Sequence, residues 1–197
     1  MFFTVLFHEL AISSKNFNKP LSSFLFFIIF IFVAGLLQSN NSEIDQQIFF
    51  WLATICVIVF SSADFLKNDF DSGMLEQMAI ACYNFEIFIF AKIIANWLNY
   101  CAPIILTSFF INHNFDFVII TIIASFTINV ICCFCGSFSL LGNSSPLISI
   151  IALPLIIPII LMSQDKNLAI NILSPLSLIL FLLLSFLTAK IVKIFLD

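Results

Sequence analysis

The third apolar run of the sequence carries polar side chains at helical spacing. Lys92, Asn96, Asn99 and Pro103 are separated by four, three and four residues, so on a helix they share one narrow sector. A charge at the centre of a bilayer costs about 2.5–3.5 kcal/mol, so we expect Lys92 to extend toward the inner surface. We expect the asparagines to face other helices. The sector predicts either an intramembrane polar track along an interface or pathway, formed by Lys92, Asn96 and Asn99, or simple packing contacts.

The segment from Asp64 to Glu86 is the most acidic part of the chain, with five of its eleven acidic residues. Asp71 and Ser72 can accept the free amide hydrogens of a helix that starts after them. The pattern that follows is amphipathic, with Met74, Leu75, Met78 and Ala79 on one side and Glu76 and Gln77 on the other. The sequence therefore predicts a short helix over 73–81. It is either a docking element for a partner or a solvated loop helix.

Other kinds of chemistry have no support in the sequence. The chain contains no GxxxxGK[ST] motif and four glycines in all, so any nucleotide is expected to bind to another polypeptide. No nucleophile, base and metal ligands converge in the pattern, so we expect a non-catalytic subunit without a metal. The six cysteines include one CxxC spacing, from Cys132 to Cys135 inside an apolar run, and all six are interpreted as small buried hydrophobic residues.

Composition identifies the environment in which these residues must work. Hydrophobic residues make up 62% of the 197 and charged residues 9%, with a mean hydropathy of +1.18. Soluble domains are about 45–50% apolar and about 25% charged. The net charge of −4 argues against nucleic-acid binding, which needs a basic surface. These values predict an all-α integral membrane protein, with residues 1–197 forming a single domain.

Six stretches are apolar enough to be membrane-spanning helices of about 20 residues. They cover approximately residues 21–37, 48–63, 87–111, 117–141, 146–162 and 173–194. We expect the first to be a span that stays in the protein rather than a cleaved signal peptide. Before it, residues 1–15 mix apolar and polar side chains at helical spacing, which predicts an interfacial helix. That helix is either an elbow that braces a transport subunit or a lead-in without a specific role.

The lysines orient the predicted spans, because cytoplasmic loops retain positive charge. Six of the seven lysines fall on one side of the predicted topology: Lys15, Lys19, Lys67, Lys92, Lys190 and Lys193. Lys166 falls on the other side, in the turn before the last span. This distribution predicts that both ends of the chain are cytoplasmic, and it places the acidic segment from Asp64 to Glu86 there too.

Three parts of the sequence resemble the haem exporter protein B family (CcmB). They are the run from Lys67 to Gln77, with its Gly-x-Leu-Glu-Gln core, the run from Ala91 to Trp97, and the run from Leu153 to Pro158. The order and spacing of these runs agree with the family over essentially the whole chain. The Gly-x-Leu-Glu-Gln core is the most specific of the signals.

The resemblance implies an ABC type-2 permease of six spans that works in cytochrome c biogenesis. In this family, a separate ATPase would dock on the coupling helix over 73–81. The docking residues implied are Asp69, Asp71, Gly73, Leu75, Glu76 and Gln77. The other partners implied are a haem-handling membrane protein, a periplasmic haem chaperone and a second copy of the permease. ATP hydrolysis would drive haem export or release of the haem-loaded chaperone, and haem would be the handled ligand.

Two further features and two rival functions stay open. Pro154 and Pro158 each remove a helical hydrogen bond from the fifth span, which predicts either a hinge or a static kink. His113 is either a haem ligand or an ordinary loop histidine. The rival functions are an ion-coupled secondary transporter and a passive assembly subunit. The expected location is a bacterial inner membrane, or a mitochondrial inner membrane if the gene is organellar.

Overall fold

The computed structural model describes residues 2–15, 18–37, 43–63, 65–81, 85–111, 114–141 and 145–196, and these residues are almost entirely helical. The α-helices are α1 (Phe2–Lys15), α2 (Asn18–Leu37), α3 (Glu43–Ala63), α4 (Lys67–Asp71), α5 (Met74–Ala81), α6 (Phe85–Ile111), α7 (Phe115–Ser137), α8 (Ser145–Ser163), α9 (Lys166–Leu168) and α10 (Ser174–Leu196). A 3₁₀ turn, Phe138–Leu141, extends α7, and a π-helical turn, Ala169–Leu173, joins α9 to α10. The all-α prediction is confirmed.

Every stretch predicted to span the membrane lies on a helix. Within the described residues, four segments are long and apolar enough to cross a bilayer: Gln47–Asp71, Phe85–Phe109, Phe115–Leu140 and Lys166–Phe195. Shorter apolar stretches occur at Pro20–Val33 in α2 and Ile150–Ser163 in α8. Large apolar side chains on these helices are widely exposed, including Phe32 and Leu161. A multi-pass membrane protein follows from these helices, because lipid would cover side chains that water could not.

Helix α7 forms the centre of the bundle and packs against α3, α6, α8 and α10. Its buried face includes Ala124, Ile128, Cys132 and Gly136. At Gly136, an added Cβ would overlap the backbone carbonyl oxygen of Ser62 on α3. Small residues therefore allow α3 and α7 to approach closely, which is how helices associate where lipid provides no hydrophobic drive.

Ion pairs mark the two ends of the bundle. Lys193 near the end of α10 lies 3.3 Å from Glu86 at the start of α6. At the other end, Lys166 of α9 lies 2.6 Å from Asp116 at the start of α7. The starts of α6 and α7 therefore lie at opposite ends of the bundle, as expected for consecutive antiparallel helices.

The last helical segment begins earlier than the sequence indicated. The sixth span was predicted to start at residue 173, but helix begins at Lys166, where the side chain of Asp165 accepts a hydrogen bond of 2.9 Å from the amide of Asn167. The π-helical turn ends two residues before Pro175. Proline has no backbone N–H to donate to a carbonyl of the preceding turn, and its ring crowds that carbonyl. The wider turn therefore accommodates a proline that would otherwise interrupt the helix.

Helix α8 continues through both Pro154 and Pro158, and both prolines are exposed. The predicted hinge at these positions stays a proposal. Helix α1 matches the predicted amphipathic helix at residues 1–15 and packs against α6. Phe3 and Phe7 on α1 are about two-thirds exposed, at 69% and 67%, whereas Val5 packs on a buried cluster. One side of α1 thus faces the bundle and the other presents aromatic side chains outward.

Candidate functional site

Helices α4 and α5 are joined by a tight turn that depends on Gly73, and we call the two helices together the α4–α5 hairpin. The backbone of Gly73 has φ +70°, a left-handed conformation that side chains other than glycine adopt at a cost. Its amide donates to the carbonyl of Phe70 at 3.0 Å, and its own carbonyl accepts from the amide of Gln77 at 3.3 Å. Gly73 therefore closes α4 and starts α5, at the position where the sequence predicted a new helix.

Ser72 plays a different part from the one its sequence position suggested. It was predicted to accept amide hydrogens at the start of the second helix. In the structure it is the C-cap of α4, and its hydroxyl donates to the carbonyl of Asp69 at 3.2 Å. The five residues of α4 were not predicted as a helix, because Lys67–Asp71 is too short and too polar to show a helical period.

Helix α5 has one buried and one exposed side, as its pattern predicted. Leu75 is fully buried, and Met78 and Ala79 pack against the same cluster, which contains Phe85, Phe88 and Ile89 of α6. On the other side Glu76 and Gln77 are exposed. Ile80 is 88% exposed beside them, which the sequence analysis did not single out. The helix is anchored to the bundle through Leu75 and presents a surface that combines an acid, an amide and a large apolar group.

Lys92 joins three elements at the base of this hairpin. Its ammonium group on α6 is ion-paired with Asp69 of α4 and lies 3.5 Å from Glu9 of α1. The side chain of Lys92 is 7% exposed, and those of Glu9 and Asp69 are 15% and 20% exposed. The rings of Phe65 and Phe88 lie 5.9 and 5.7 Å from the ammonium, within cation–π range. We call Glu9, Asp69 and Lys92 the Lys92 junction.

Lys92 was expected to extend toward the inner surface of the membrane. In the structure its side chain is instead enclosed by protein groups and is 7% exposed. The side chain is held within the protein by carboxylates from elements far apart in the chain, 83 and 23 residues away. Asp69, which the resemblance implied as a docking residue, turns inward to this junction, whereas Asp71 is exposed.

One turn along α6, Asn96 makes the interhelical contact that was expected of it. Its amide donates to the side-chain oxygen of Asn129 on α7 at 2.8 Å and approaches the sulfur of Cys133 at 3.5 Å. Asn129 in turn donates to the backbone carbonyl of Ile93 at 3.2 Å. The sequence analysis did not single out Asn129. The signal was present, because Asn129 is the one side-chain amide in the apolar run 117–141 and lies four residues after the small, polar Ser125.

A cavity of about 510 Å³ lies beside the junction, between α1, α2, α3, α4, α5 and α6. Its polar walls include Glu9, Asp69, Lys92, Asn96 and Asn99. All three residues of the predicted polar track thus face one space. Among the described residues that line this cavity, the formal charges are two carboxylates and one ammonium, which leaves an excess of one negative charge.

Other predicted features fall elsewhere. His113 lies outside the described residues, so its role as a haem ligand stays a prediction. Among the described residues, no group of three or more His, Cys, Asp or Glu side chains could hold a metal ion. The described cysteines are Cys56, Cys101, Cys132, Cys133 and Cys135, and all five are free thiols.

Comparison with known proteins gives two matches. The sequence profile of a family described as CcmB protein matches residues 1–195. The chain is also similar to heme exporter protein B of Haemophilus influenzae, with 25% identity over 111 residues. That match covers 55% of this chain and 50% of the relative, so the aligned region spans about half the length of that protein.

Proposed function

The chain belongs to the CcmB protein family, and from this premise we propose that it is the permease subunit of an ABC transporter complex for cytochrome c biogenesis. In this proposal a separate ATPase supplies the energy. Hydrolysis of ATP drives haem export or the release of a haem-loaded periplasmic chaperone. The permease itself is a non-catalytic membrane subunit.

The family match over residues 1–195 is the observation that carries the proposal. The relative in Haemophilus influenzae, which is called heme exporter protein B, supports haem as the handled ligand. The other proposed partners are a haem-handling membrane protein, the periplasmic haem chaperone and a second copy of this permease.

Helix α5 is the proposed docking element for the ATPase. A docking surface needs a rigid base and an accessible mixed face, since apolar contact supplies affinity and charge supplies register. The burial of Leu75 supports the first requirement, and the exposure of Glu76, Gln77 and Ile80 supports the second. In this scheme Asp71 and Glu76 contact the ATPase, whereas Asp69, Gly73 and Leu75 hold the hairpin in position for it.

The proposed topology has six spans with both ends of the chain in the cytoplasm. Helices α2, α3, α6, α7, α8 and α10 would be the spans, with α1 as an interfacial elbow. The ion pair between Lys193 and Glu86 would then lie at the cytoplasmic end, together with α4 and α5. The pair between Lys166 and Asp116 would lie at the periplasmic end. The excess of lysines at the first end supports this orientation.

Deletion of the gene tests the proposal, with covalent haem in c-type cytochromes measured by haem staining of denatured membrane proteins. We expect covalent haem to disappear on deletion and to return with the wild-type gene, and haem-loaded chaperone to accumulate in the deletion strain. Unchanged covalent haem, in a host without a second maturation system, would reject the proposal. An ion-coupled transporter would then be the better account, with the partly buried carboxylates of Glu9 and Asp69 as its candidate ion-binding groups.

A further inference from the structure

Two kinds of contact connect the α4–α5 hairpin to the transmembrane bundle. The first is apolar: Leu66 and Leu75 are buried in one cluster with Phe85, Phe88 and Ile89 of α6. The second is ionic, from Asp69 to Lys92. Apolar contacts are non-directional, so a small shift of α5 changes the apolar area that they bury by little. An ion pair in a poorly solvated place depends steeply on distance, so it is the contact that fixes where α4 lies relative to α6.

The position of Lys92 is strongly constrained by its burial. An ammonium group that is 7% exposed needs charged partners, because removing one partner of a buried pair leaves an uncompensated charge. The partners here come from α4 through Asp69 and from α1 through Glu9. Any movement of α4 must therefore take Lys92 with it, or exchange Asp69 for Glu9 as the nearer partner. Either response moves α6 or α1.

The cavity beside the junction provides the room for such movement. The cavity has a volume of about 510 Å³ and is lined by Glu9 of α1, Asp69 of α4 and the Asn96–Asn99 face of α6. In a close-packed interior a helix cannot shift without displacing its neighbours. On the side that faces the cavity, α4 meets space rather than packed side chains, so a shift in that direction displaces fewer neighbours. The Lys92 junction keeps α4 connected to α6 and α1.

We propose that Lys92 is a positioning residue that transmits movement of the α4–α5 hairpin to α6 and to α1, through Asp69 and Glu9. This role rests on the proposed ATP-driven permease, and it assigns the transmission step to charge rather than to the apolar contact of Leu75. Asp69 is the nearer partner of Lys92 and Glu9, at 3.5 Å, is the more distant one, so in this scheme Lys92 follows Asp69 and carries α1 with it through Glu9.

The decisive variant removes all three charges with little change in side-chain size: Glu9→Gln, Asp69→Asn and Lys92→Met together. No buried charge is left unpaired in it, so we expect it to fold. Two quantities are measured in a deletion strain that carries the variant: recovery of the ATPase with affinity-tagged permease, and covalent haem per permease molecule. We expect normal recovery of the ATPase and a loss of covalent haem of about tenfold, within the range typical of coupling between two sites.

A matched control neutralises another ion pair at the same end of the bundle. Glu86→Gln with Lys193→Met removes a more exposed pair, which joins α6 to α10 rather than to α4. We expect this control to retain covalent haem at the wild-type level. A triple variant that also retains it, or whose loss only follows a lower amount of protein, would overturn the role of Lys92.

If the triple variant is absent from the membrane, an exchange of charges between positions 69 and 92 tests the role of Lys92 instead. In a Glu9→Gln background, which removes the second carboxylate of the junction, Asp69→Lys with Lys92→Asp keeps an opposite pair across α4 and α6, whereas either of these two changes alone places like charges together or leaves one charge unpaired. Restoration of covalent haem in the exchange relative to both single variants supports the inference, and equal loss in all three contradicts it. Failure of the proposed function would be seen in a different experiment. Covalent haem would then be the same in the deletion strain with and without the wild-type gene.

Discussion

Gly136 lies where the central helices α7 and α3 approach each other closely. Its backbone faces the carbonyl of Ser62, and nothing larger than a hydrogen fits between α7 and α3 at that point. Gly35 on α2 is also helical, but outside its own helix no atom of the described residues lies within 4 Å of the position where its Cβ would be. The two glycines therefore share a backbone conformation and differ in their surroundings.

Replacing Gly136 with alanine is expected to push α7 away from α3. We expect the free energy of unfolding to fall by about 1–3 kcal/mol, the usual cost of overpacking a well-packed core. Thermal unfolding of the purified protein in detergent measures it. Gly35→Ala gains the same helix propensity without the clash, so its stability should be unchanged or slightly higher. Equal stability of the two variants would show that α3 and α7 can separate freely.

Residue roles were predictable from the sequence only where they depend on local spacing. The shared face of Lys92, Asn96 and Asn99 followed from the helical period, and all three line one cavity. The partners of Lys92 could not be predicted from the sequence, because Glu9 and Asp69 are 83 and 23 residues away and approach it only in the folded bundle. Asn129 could have been found from its isolation in an apolar run, because a buried amide requires a partner.

At the scale of elements, the hairpin of α4 and α5 is set by one backbone angle. Apart from its two chain neighbours, no atom of the described residues lies within 4 Å of a Cβ at Gly73, so a substitution there acts through the left-handed backbone. That conformation costs an ordinary residue about 1–2 kcal/mol, whereas asparagine adopts it more readily. The direction in which α5 presents Glu76 and Ile80 therefore depends on Gly73.

Replacing Gly73 with alanine is expected to shift the equilibrium away from the observed hairpin by a factor of about 5–30. Because α5 would then present its exposed face less often, we expect less ATPase to co-purify with tagged permease. Gly73→Asn should recover most of the wild-type yield. If alanine and asparagine at position 73 give the same yield, the left-handed turn does not control docking.

The elements themselves were largely predictable, because length and hydrophobicity determine where helices form in an apolar chain. The amphipathic helices at 1–15 and 73–81 also appear, as α1 and α5. The helix at Lys67–Asp71 and the π-helical turn at Ala169–Leu173 did not follow from the sequence. Both depend on neighbouring residues. The short helix ends at the turn formed by Gly73, and the π-helical turn accommodates Pro175.

At the scale of the whole molecule, charge is divided between the two ends of the bundle. The Lys92 junction and the pair of Lys193 with Glu86 involve the first half of α6, and the pair of Lys166 with Asp116 lies at the opposite end. In the proposed orientation the first end faces the cytoplasm and the second faces the periplasm.

Labelling of single cysteines tests this orientation. In a chain whose native cysteines are replaced, Lys166→Cys should react with a membrane-impermeant maleimide in intact cells. Glu76→Cys should react only after the inner membrane is permeabilised. Comparable labelling of both positions in intact cells would contradict the proposed topology, whereas the reverse order would indicate an inverted protein.

The most direct test of the central claim is a site-specific cross-link from α5 to the ATPase. A photoreactive amino acid replaces Ile80, whose side chain is 88% exposed, and in a control strain it replaces the exposed Asp116 at the opposite end. Illumination of intact membranes is followed by detection of the permease–ATPase adduct. The account predicts an adduct from position 80 and none from position 116. An ATPase that co-purifies with the permease but cross-links only from position 116 would contradict it.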